Sequence, residues 1–324
     1  MSNEEDSLAK LISQAGARQR PSSSMEAEVR AVVHDAWQQT LRTERRQRAV
    51  WFSAAAAVIL SIIGWQFNSR STSSSSIVAA TLVRASNHFS IDGHNKVPGA
   101  VPAANAVSTI YVGEAIDTGD GVALLSLEGN ANLRLAPHTR VHWRTAGEIV
   151  LTSGKLYVDS GTHSVPLLID TAFGNVSHLG TRYQVSRDED ALNVSVRDGK
   201  VAIRTPQGLT QLQAKQSFKI DSRQFVTRDE IQAYGPEWEW ADNLSPGFEI
   251  DNSTLAAFLG WVAHETGHNL KYADESTRLE AMKTILHLQG TRGSLTPMTA
   301  LSLVLPTTDF SVQSAEDNFL VRRL

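Results

Sequence analysis

One uncharged run stands out from the pattern of hydrophobic and polar positions along the chain. Residues 49–67 read AVWFSAAAAVILSIIGWQF, in which only Ser53, Ser61 and Gln66 are polar. A helix of this length spans roughly 28 Å, close to the thickness of a bilayer core. The run therefore predicts one transmembrane helix. A buried helix of a soluble protein normally has a polar face, and a cleaved signal peptide has a shorter apolar region, so both alternatives fit less well.

The charges on either side of the run predict its orientation. Arg42, Arg45, Arg46 and Arg48 precede it, whereas Arg70 alone follows closely. Because positive charge stays on the cytoplasmic side, we expect the N-terminus in the cytoplasm and everything after the run outside. The expected location is the inner (cytoplasmic) membrane, crossed once, with the C-terminal domains in the periplasm.

The cytoplasmic segment, residues 1–48, carries one amphipathic pattern. Its apolar positions include Val29, Val33, Trp37 and Leu41, which share one face of a helix. A segment this short cannot bury a large core, so this face is predicted to dock a cytoplasmic protein. Two alternatives stay open: the helix lies on the inner membrane surface, or it extends the membrane helix as a solvated stalk.

After a serine-rich linker at residues 68–76, residues 77–234 read as many short β-type segments. Apolar and polar positions alternate in several of them, as at Leu133 and Leu135, and this is typical of strands with one buried face. Regularly spaced short strands predict a mainly β external domain, a β-sandwich, barrel or β-roll of many antiparallel strands.

Four dipeptides predict turns between these strands. They are Asp120–Gly121, Glu128–Gly129, Ser153–Gly154 and Asp198–Gly199. The histidines of this domain have no ligand-like spacing, so we expect no metal or catalytic constellation in it.

The pattern changes after residue 234. Residues 235–246 contain Trp238 and Trp240, which predict a linker pinned onto a neighbouring domain. Residues 247–324 predict the order β-α-β-β-α-β-β, a small α+β domain. Its predicted elements are strands at 248–252, 269–274 and 284–290, a helix that ends at Gly267, a helix at 296–305 and a terminal hairpin.

The sharpest chemical motif lies at the end of the first of these helices. His264, Glu265 and His268 match H-E-x-x-H, in which two histidines one turn apart bind zinc and the glutamate activates water. We expect a structural role instead, because Gly267 is predicted to end the helix and so to move His268 off the face that carries His264. A membrane-anchored zinc peptidase stays as an alternative, and no cofactor or other metal is expected.

Composition narrows the range of partners. The net charge of −4 gives no case for a nucleic-acid partner. The absence of cysteine excludes disulfides, cysteine-ligated zinc and a thiol nucleophile.

Four ordered blocks resemble the periplasmic domain of FecR-type regulators. They are residues 112–143, 148–160, 166–185 and 192–205. The family's most recognisable piece, Leu-Gly-Thr before an aromatic strand, is present here as Leu179-Gly180-Thr181 followed by Tyr183. We expect these residues to have structural roles: Gly180 supplies a positive φ or a close backbone approach, Thr181 bonds nearby backbone, and Tyr183 packs inward.

Residues 247–324 resemble the short domain at the N-terminus of secretins and TonB-dependent receptors, the STN domain. Some FecR-like regulators carry this domain at the C-terminus. Here the resemblance rests on the order of the predicted elements.

The resemblance implies a signal-transducing regulator of the anti-sigma-factor type. In that family the periplasmic part meets the signalling domain of an outer-membrane transporter, as in iron or siderophore signalling, and the cytoplasmic part controls an alternative sigma factor. The cytoplasmic part here is shorter than in the best-known members. We therefore expect a non-enzymatic membrane regulator, with the zinc peptidase and a non-signalling envelope scaffold as alternatives.

Overall fold

Strands dominate the described residues between 77 and 234, as the alternating pattern predicts. The computed structural model describes residues 77–86, 89–91, 94–96, 108–161, 166–287 and 295–324. Among these residues, fifteen strands form one hydrogen-bonded sheet. The strands are β1 (Val78–Ser86), β2 (Phe89–Ile91), β3 (His94–Lys96), β4 (Ser108–Tyr111), β5 (Ala115–Asp117), β6 (Val122–Ser126), β7 (Asn132–Leu135), β8 (Arg140–Thr145), β9 (Glu148–Asp159), β10 (Leu168–Thr171), β11 (Gly174–Arg187), β12 (Ala191–Thr205), β13 (Gly208–Gln213), β14 (Gln216–Asp221) and β15 (Val226–Glu230).

The sheet has one main path and one branch. The main path runs β15-β14-β12-β11-β10-β9-β7-β6-β1-β4, and β13 pairs with β12 beside it. The branch leaves β9 through β8 and continues through β5 and β2 to β3. Pairing is antiparallel except between β9 and β10, which are parallel. The expected mainly β fold of many antiparallel strands is therefore present in the described residues.

Two of the predicted turns are wrong, because the chain bends there without reversing. Ser153–Gly154 lies inside β9 and Asp198–Gly199 lies inside β12. Both glycines have a positive φ, 93° at Gly154 and 83° at Gly199. The two halves of β12 then pair with different strands, the first with β14 and the second with β13. The same local glycine signal therefore marks bends at which long strands curve around the core.

Close backbone approach explains why glycine is needed at one of these bends. A Cβ on Gly199 would lie 2.5 Å from the carbonyl oxygen of Gly180 and 3.0 Å from the Cα of Thr181. Gly180 itself has the positive φ predicted for it, 59°. The Thr181 hydroxyl donates to the carbonyl oxygen of Lys200 at 2.8 Å, which confirms its predicted bond to backbone.

The inner face of the sheet holds the larger apolar core of the described residues. Leu133, Leu135, Val194 and Val196 have no exposed surface and belong to this core, as the alternation predicts. Tyr183 is also fully buried there, which confirms that it packs inward.

The rest of the described chain is a short linker followed by a smaller α+β domain. The linker contains one short helix, α1 (Glu239–Asp242). The α+β domain contains the helices α2 (Leu255–Thr266), α3 (Glu275–Lys283) and α4 (Pro297–Val304), and the strands β16 (Asn269–Tyr272), β17 (Phe310–Ala315) and β18 (Asn318–Arg323). The strands form a sheet in the order β16-β18-β17, with β16 parallel and β17 antiparallel to β18. Apolar residues of α2, α4 and this sheet form a second core.

The α+β domain differs from its predicted order in three places. No strand forms at 248–252. The described part of 284–290 contributes only one isolated bridge, between Ile285 and Thr254. Helix α3 was not predicted because ESTRLEAMK has few apolar positions, although the Asp274 side chain caps it by accepting from the backbone N–H of Thr277. The terminal hairpin and the helix predicted at 296–305 are confirmed.

Three elements are predicted in the N-terminal part of the chain, before residue 77. The amphipathic helix with Val29, Val33, Trp37 and Leu41, the membrane helix at 49–67 and the linker at 68–76 all lie outside the described residues. Within the described ranges, no helix is long and apolar enough to span a membrane.

A buried histidine of β11 predicts a loss of stability in mild acid. His178 is 6 % exposed, its Nδ1 lies 2.9 Å from the Tyr183 hydroxyl, and burial lowers its pKa to about 4. Because this pKa lies below the ordinary value of 6.5, the unfolded chain binds the proton more readily. The stability that the neutral His178 contributes is complete above pH 6.5 and is lost as the pH falls towards 4.

We expect the free energy of unfolding to fall by about 2 kcal/mol between pH 7.5 and pH 5 through this group alone. Urea titrations at the two pH values, on the native chain and on His178→Gln, measure the difference. The variant should lose that part of the pH dependence, and an identical dependence in both proteins would contradict the assignment.

Candidate functional site: the covered face of the sheet

The outer face of four neighbouring strands carries polar side chains that are buried. Arg134 of β7 is in register with Tyr157 of β9, Tyr157 with Gln184 of β11, and Gln184 with Ser195 of β12. None of the four is more than 6 % exposed, although alternation predicts that this face meets water. We call these four residues the covered face, because the linker and the α+β domain lie over them.

Arg134 joins the covered face to both the linker and the α+β domain. Its Nη1 donates to the carbonyl oxygen of Ala241 at 2.7 Å, and its Nη2 donates to Glu265 Oε2 at 2.6 Å. The guanidinium also lies 4.9 Å from the ring centroid of Tyr157. Because the side chain has no exposed surface, loss of both partners would leave a buried charge without compensation.

Arg197 of β12 makes a second junction of the same kind. Its two Nη atoms donate to the two carboxylate oxygens of Asp242, at 2.7 and 3.1 Å. Its Nε donates to the carbonyl oxygen of Ala233 at 2.6 Å, and Nη1 also reaches the carbonyl oxygen of Glu265 at 3.0 Å. The guanidinium lies 5.1 Å from the ring centroid of Trp238. The planar fork of arginine matches this set of acceptors, which a lysine could not satisfy.

A third junction is more exposed. His264 Nε2 lies 2.8 Å from Asp159 Oδ2 at the end of β9. Arg182 of β11 donates to the carbonyl oxygen of His264 and, at 3.3 Å, to Asp198. Together with the contacts of Arg134 and Arg197, these attach the end of α2 to four strands of the sheet, β7, β9, β11 and β12.

Burial and neighbouring charges shift the pKa values of the junction groups in different directions. Burial alone would lower the pKa of Arg197, but Tyr157 and Asp242 outweigh burial and raise it. Burial is the largest influence on Asp242 and raises the pKa of its carboxyl, and the hydrogen bonds and charge of Arg197 oppose that shift only in part. Burial would also raise the pKa of Asp159, but the hydrogen bond and charge of His264 hold it below its usual value.

The linker binds the covered face closely, as its two tryptophans predict. Trp238 has no exposed surface, and Trp240 donates its indole N–H to Gln184 at 3.2 Å. One carboxylate oxygen of Glu237 accepts from Gln184 and from Ser195, both at 2.7 Å. These contacts satisfy polar groups that would otherwise be buried without partners.

Gly267 ends α2 in the left-handed conformation predicted for it, with φ 75°. A Cβ at this position would lie 1.9 Å from the carbonyl oxygen of Ala233 and 2.5 Å from Nε of Arg197. Glycine is therefore required twice, once for the helix end and once for the close approach of two backbones.

The H-E-x-x-H motif divides at this glycine. His264 faces Asp159, whereas the ring of His268 stacks on Phe319 with 3.9 Å between centroids and lies 4.8 Å from the ring of Tyr234. The two histidines therefore do not share a helix face, which a zinc peptidase requires.

A different set of metal-ligand atoms does come together. Asp159, His264 and Glu265 each offer one atom, and these atoms lie within 4.8 Å of one another. Glu265, which would activate water in a peptidase, already binds the guanidinium of Arg134. The geometry is that of an ion-pair network between two parts of the chain.

The H-E-x-x-H motif is visible in the sequence, but nothing in the sequence marks Arg134 or Arg197 as junction residues. In the sequence these arginines occupy the polar positions of alternating strands and look solvent-exposed. Their acceptors Ala241 and Asp242 lie 107 and 45 residues further along the chain, so no local spacing reveals them. The one sequence signal for this junction was the pair Trp238 and Trp240, which predicted that the linker packs on a neighbouring domain.

Comparison with known proteins identifies the middle of the chain. Residues 114–202 match the FecR protein family. The chain therefore contains a FecR domain, and Arg134, Asp159, Arg182 and Arg197 all lie inside it.

Among the solved structures that resemble the chain, two are described as a "putative anti-sigma factor" from Parabacteroides distasonis. One is 13 % identical with a TM-score of 0.35, and covers 65 % of this chain and 99 % of its own. The other is 13 % identical with a TM-score of 0.31, and covers 62 % and 93 %. TM-scores below 0.5 do not define a shared fold. No curated protein matches the chain.

Gly267→Ala should separate the α+β domain from the sheet or strain the contact between them. We expect the free energy of unfolding to fall by more than the roughly 1–2 kcal/mol of left-handed strain alone, because the new Cβ meets Ala233. Urea unfolding of the purified chain measures the loss.

Two alanine substitutions serve as controls. Gly161→Ala carries left-handed strain at φ 59° with nothing within 4 Å, and Gly260→Ala lies in α2, also with nothing within 4 Å. Gly260→Ala should be neutral or stabilising by up to about 1 kcal/mol. If Gly267→Ala costs no more than Gly161→Ala, the close backbone contact is not present in solution.

Proposed function

We propose that the chain is a FecR-like regulator anchored in the inner membrane by residues 49–67. It relays an event at its external domains to a cytoplasmic sigma factor, in the manner of anti-sigma factors. The observation that carries this proposal is the FecR domain at residues 114–202, bound across its covered face to the linker and the α+β domain.

The cytoplasmic end of the relay is the amphipathic helix of residues 1–48. Its apolar residues Val29, Val33, Trp37 and Leu41 are predicted to share one helix face, which is the proposed docking surface. A sigma factor that packs on this face would be held at the membrane and kept from transcription.

The external end of the relay is the α+β domain, for which the STN domain of FecR-like proteins is the proposed counterpart. Its sheet ends in β17, FSVQSA, a strand without charge that pairs on one side only among the described residues. Such an edge can receive a strand from a partner, here the signalling domain of an outer-membrane transporter or another periplasmic protein.

Backbone geometry shows which residue of β17 to change. The hairpin turn is Glu316–Asp317, so Ala315 pairs with Asn318 next to the turn and Ser314 pairs with Phe319. Hydrogen-bonded and non-hydrogen-bonded pairs alternate along an antiparallel ladder. The N–H of Ser314 therefore points away from β18 and is free to bond a partner strand.

The alternatives have less support. A zinc peptidase would need His264 and His268 on one face, and they are separated. An envelope scaffold would need no cytoplasmic effector, so a transcription measurement distinguishes a scaffold from a regulator.

A transcription reporter for the controlled sigma factor tests both ends of the relay in cells. Trp37→Asp should change basal transcription several-fold, because it breaks the apolar face that holds the sigma factor. Ser314→Pro should abolish the response to the external stimulus, because proline lacks the N–H that a partner strand would bond.

Matched variants control each change. Ser314→Ala keeps the N–H and should respond normally. Gln38→Asp places the same charge next to Trp37 and should leave transcription near its native level. No change with Trp37→Asp would favour the scaffold, and a normal response with Ser314→Pro would remove β17 as the docking edge.

A further inference from the structure

We propose that the α+β domain is held on the FecR domain by a reversible polar latch, and that it can release while the linker stays bound. The latch is defined as the contacts that His264, Glu265, Gly267, His268 and Asp317 make with residues that precede the linker. Release of the latch would let an event at the α+β domain change the exposed surface of the FecR domain.

The distribution of apolar residues supports release of the α+β domain from the sheet. Among the described residues, the core of the sheet contains no residue beyond Val226, and the core of the α+β domain contains none before Phe248. A third apolar cluster joins Tyr157 to Trp238 and Ala241, which belong to the linker. The α+β domain therefore shares no apolar cluster with the sheet, whereas the linker does.

The latch itself is mainly polar. It consists of the pairs His264 with Asp159 and Glu265 with Arg134, the carbonyl contacts described above, and an ion pair between Asp317 and Lys215. The one ring contact is that of His268 with Tyr234. Groups of this kind regain hydrogen bonds to water when they separate, so such an interface opens more readily than an apolar one.

Each buried arginine keeps a linker partner when the latch opens. Arg134 would lose Glu265 but keep the carbonyl oxygen of Ala241. Arg197 would lose the carbonyl oxygen of Glu265 but keep both oxygens of Asp242. Release of the α+β domain therefore leaves neither guanidinium without a protein acceptor. Release of the linker as well would take Ala241 from Arg134 and the carboxylate of Asp242 from Arg197.

This arrangement gives the linker and the domain different tasks. The linker closes the covered face permanently, and the domain adds a second layer that can leave. The regulatory use of the latch rests on the proposed function, whereas its opening is a property of the chain alone and is measured without any partner.

Thiol labelling measures the opening directly, because the native chain has no cysteine. Three single substitutions in the full chain place a reporter at the latch, in the core of the sheet and in the core of the α+β domain. They are Ala233→Cys, Ala123→Cys and Ala300→Cys, at positions that are 7 %, 0 % and 0 % exposed. Excess disulfide reagent then labels each thiol at a rate proportional to the fraction of time that its site is open.

We expect the Ala233→Cys thiol to react at least tenfold faster than the two core thiols. Arg182→Met should raise the rate at Ala233→Cys several-fold and leave the other two unchanged, because Arg182 bonds the α+β domain and not the linker. Arg204→Met, which removes an exposed arginine of the same sheet, should change none of the rates.

Equal rates at all three thiols would overturn the latch, since the domain would then separate only in global unfolding. The same conclusion would follow if Arg182→Met raised all three rates together or left the rate at Ala233→Cys unchanged. Repeating the labelling with Ser314→Pro distinguishes this result from the proposed function, because that variant should leave the latch intact even where signalling fails.

Discussion

Arg134 and Arg197 are buried on the face of the sheet that points away from its apolar core, and a buried guanidinium has to be paired. Most of the acceptors come from outside the FecR domain, from Ala233, from the linker and from the end of α2. This requirement determines where the later part of the chain can lie. Any other placement would leave two charges without partners, at a cost of several kcal/mol each.

The shape of the sheet makes this two-sided burial possible. The long strands β9 and β12 bend at Gly154 and Gly199 and so enclose the apolar core on one side. Their other side is a continuous row of polar residues in register, which the linker can follow. The sheet thus has its apolar core on one face and the ionic junction on the other. Its outer face is complete only when residues beyond 202 are in place.

Sequence patterns predicted the parts of this structure that depend on near neighbours. Period-two alternation identified the strands and core positions such as Leu133 and Leu135, and glycine chemistry identified the end of α2 at Gly267. Whether Gly154 would form a turn or a bend was not predictable, because the same dipeptide occurs in both. The pairing of distant strands determines which of the two forms. Burial of Arg134 was not predictable either, since its partners are more than 100 residues away.

A double-mutant cycle on Arg134 and Glu265 tests the central claim most directly, namely that buried charge pairs hold the two parts together. The free energy of unfolding in urea is measured for Arg134→Met, Glu265→Gln and the double variant. We predict a loss of about 3 kcal/mol for Arg134→Met, and a loss in the double variant smaller than the sum of the single losses by about 2 kcal/mol. Losses that add to within about 0.5 kcal/mol would show that the two side chains are not coupled, and would contradict the account.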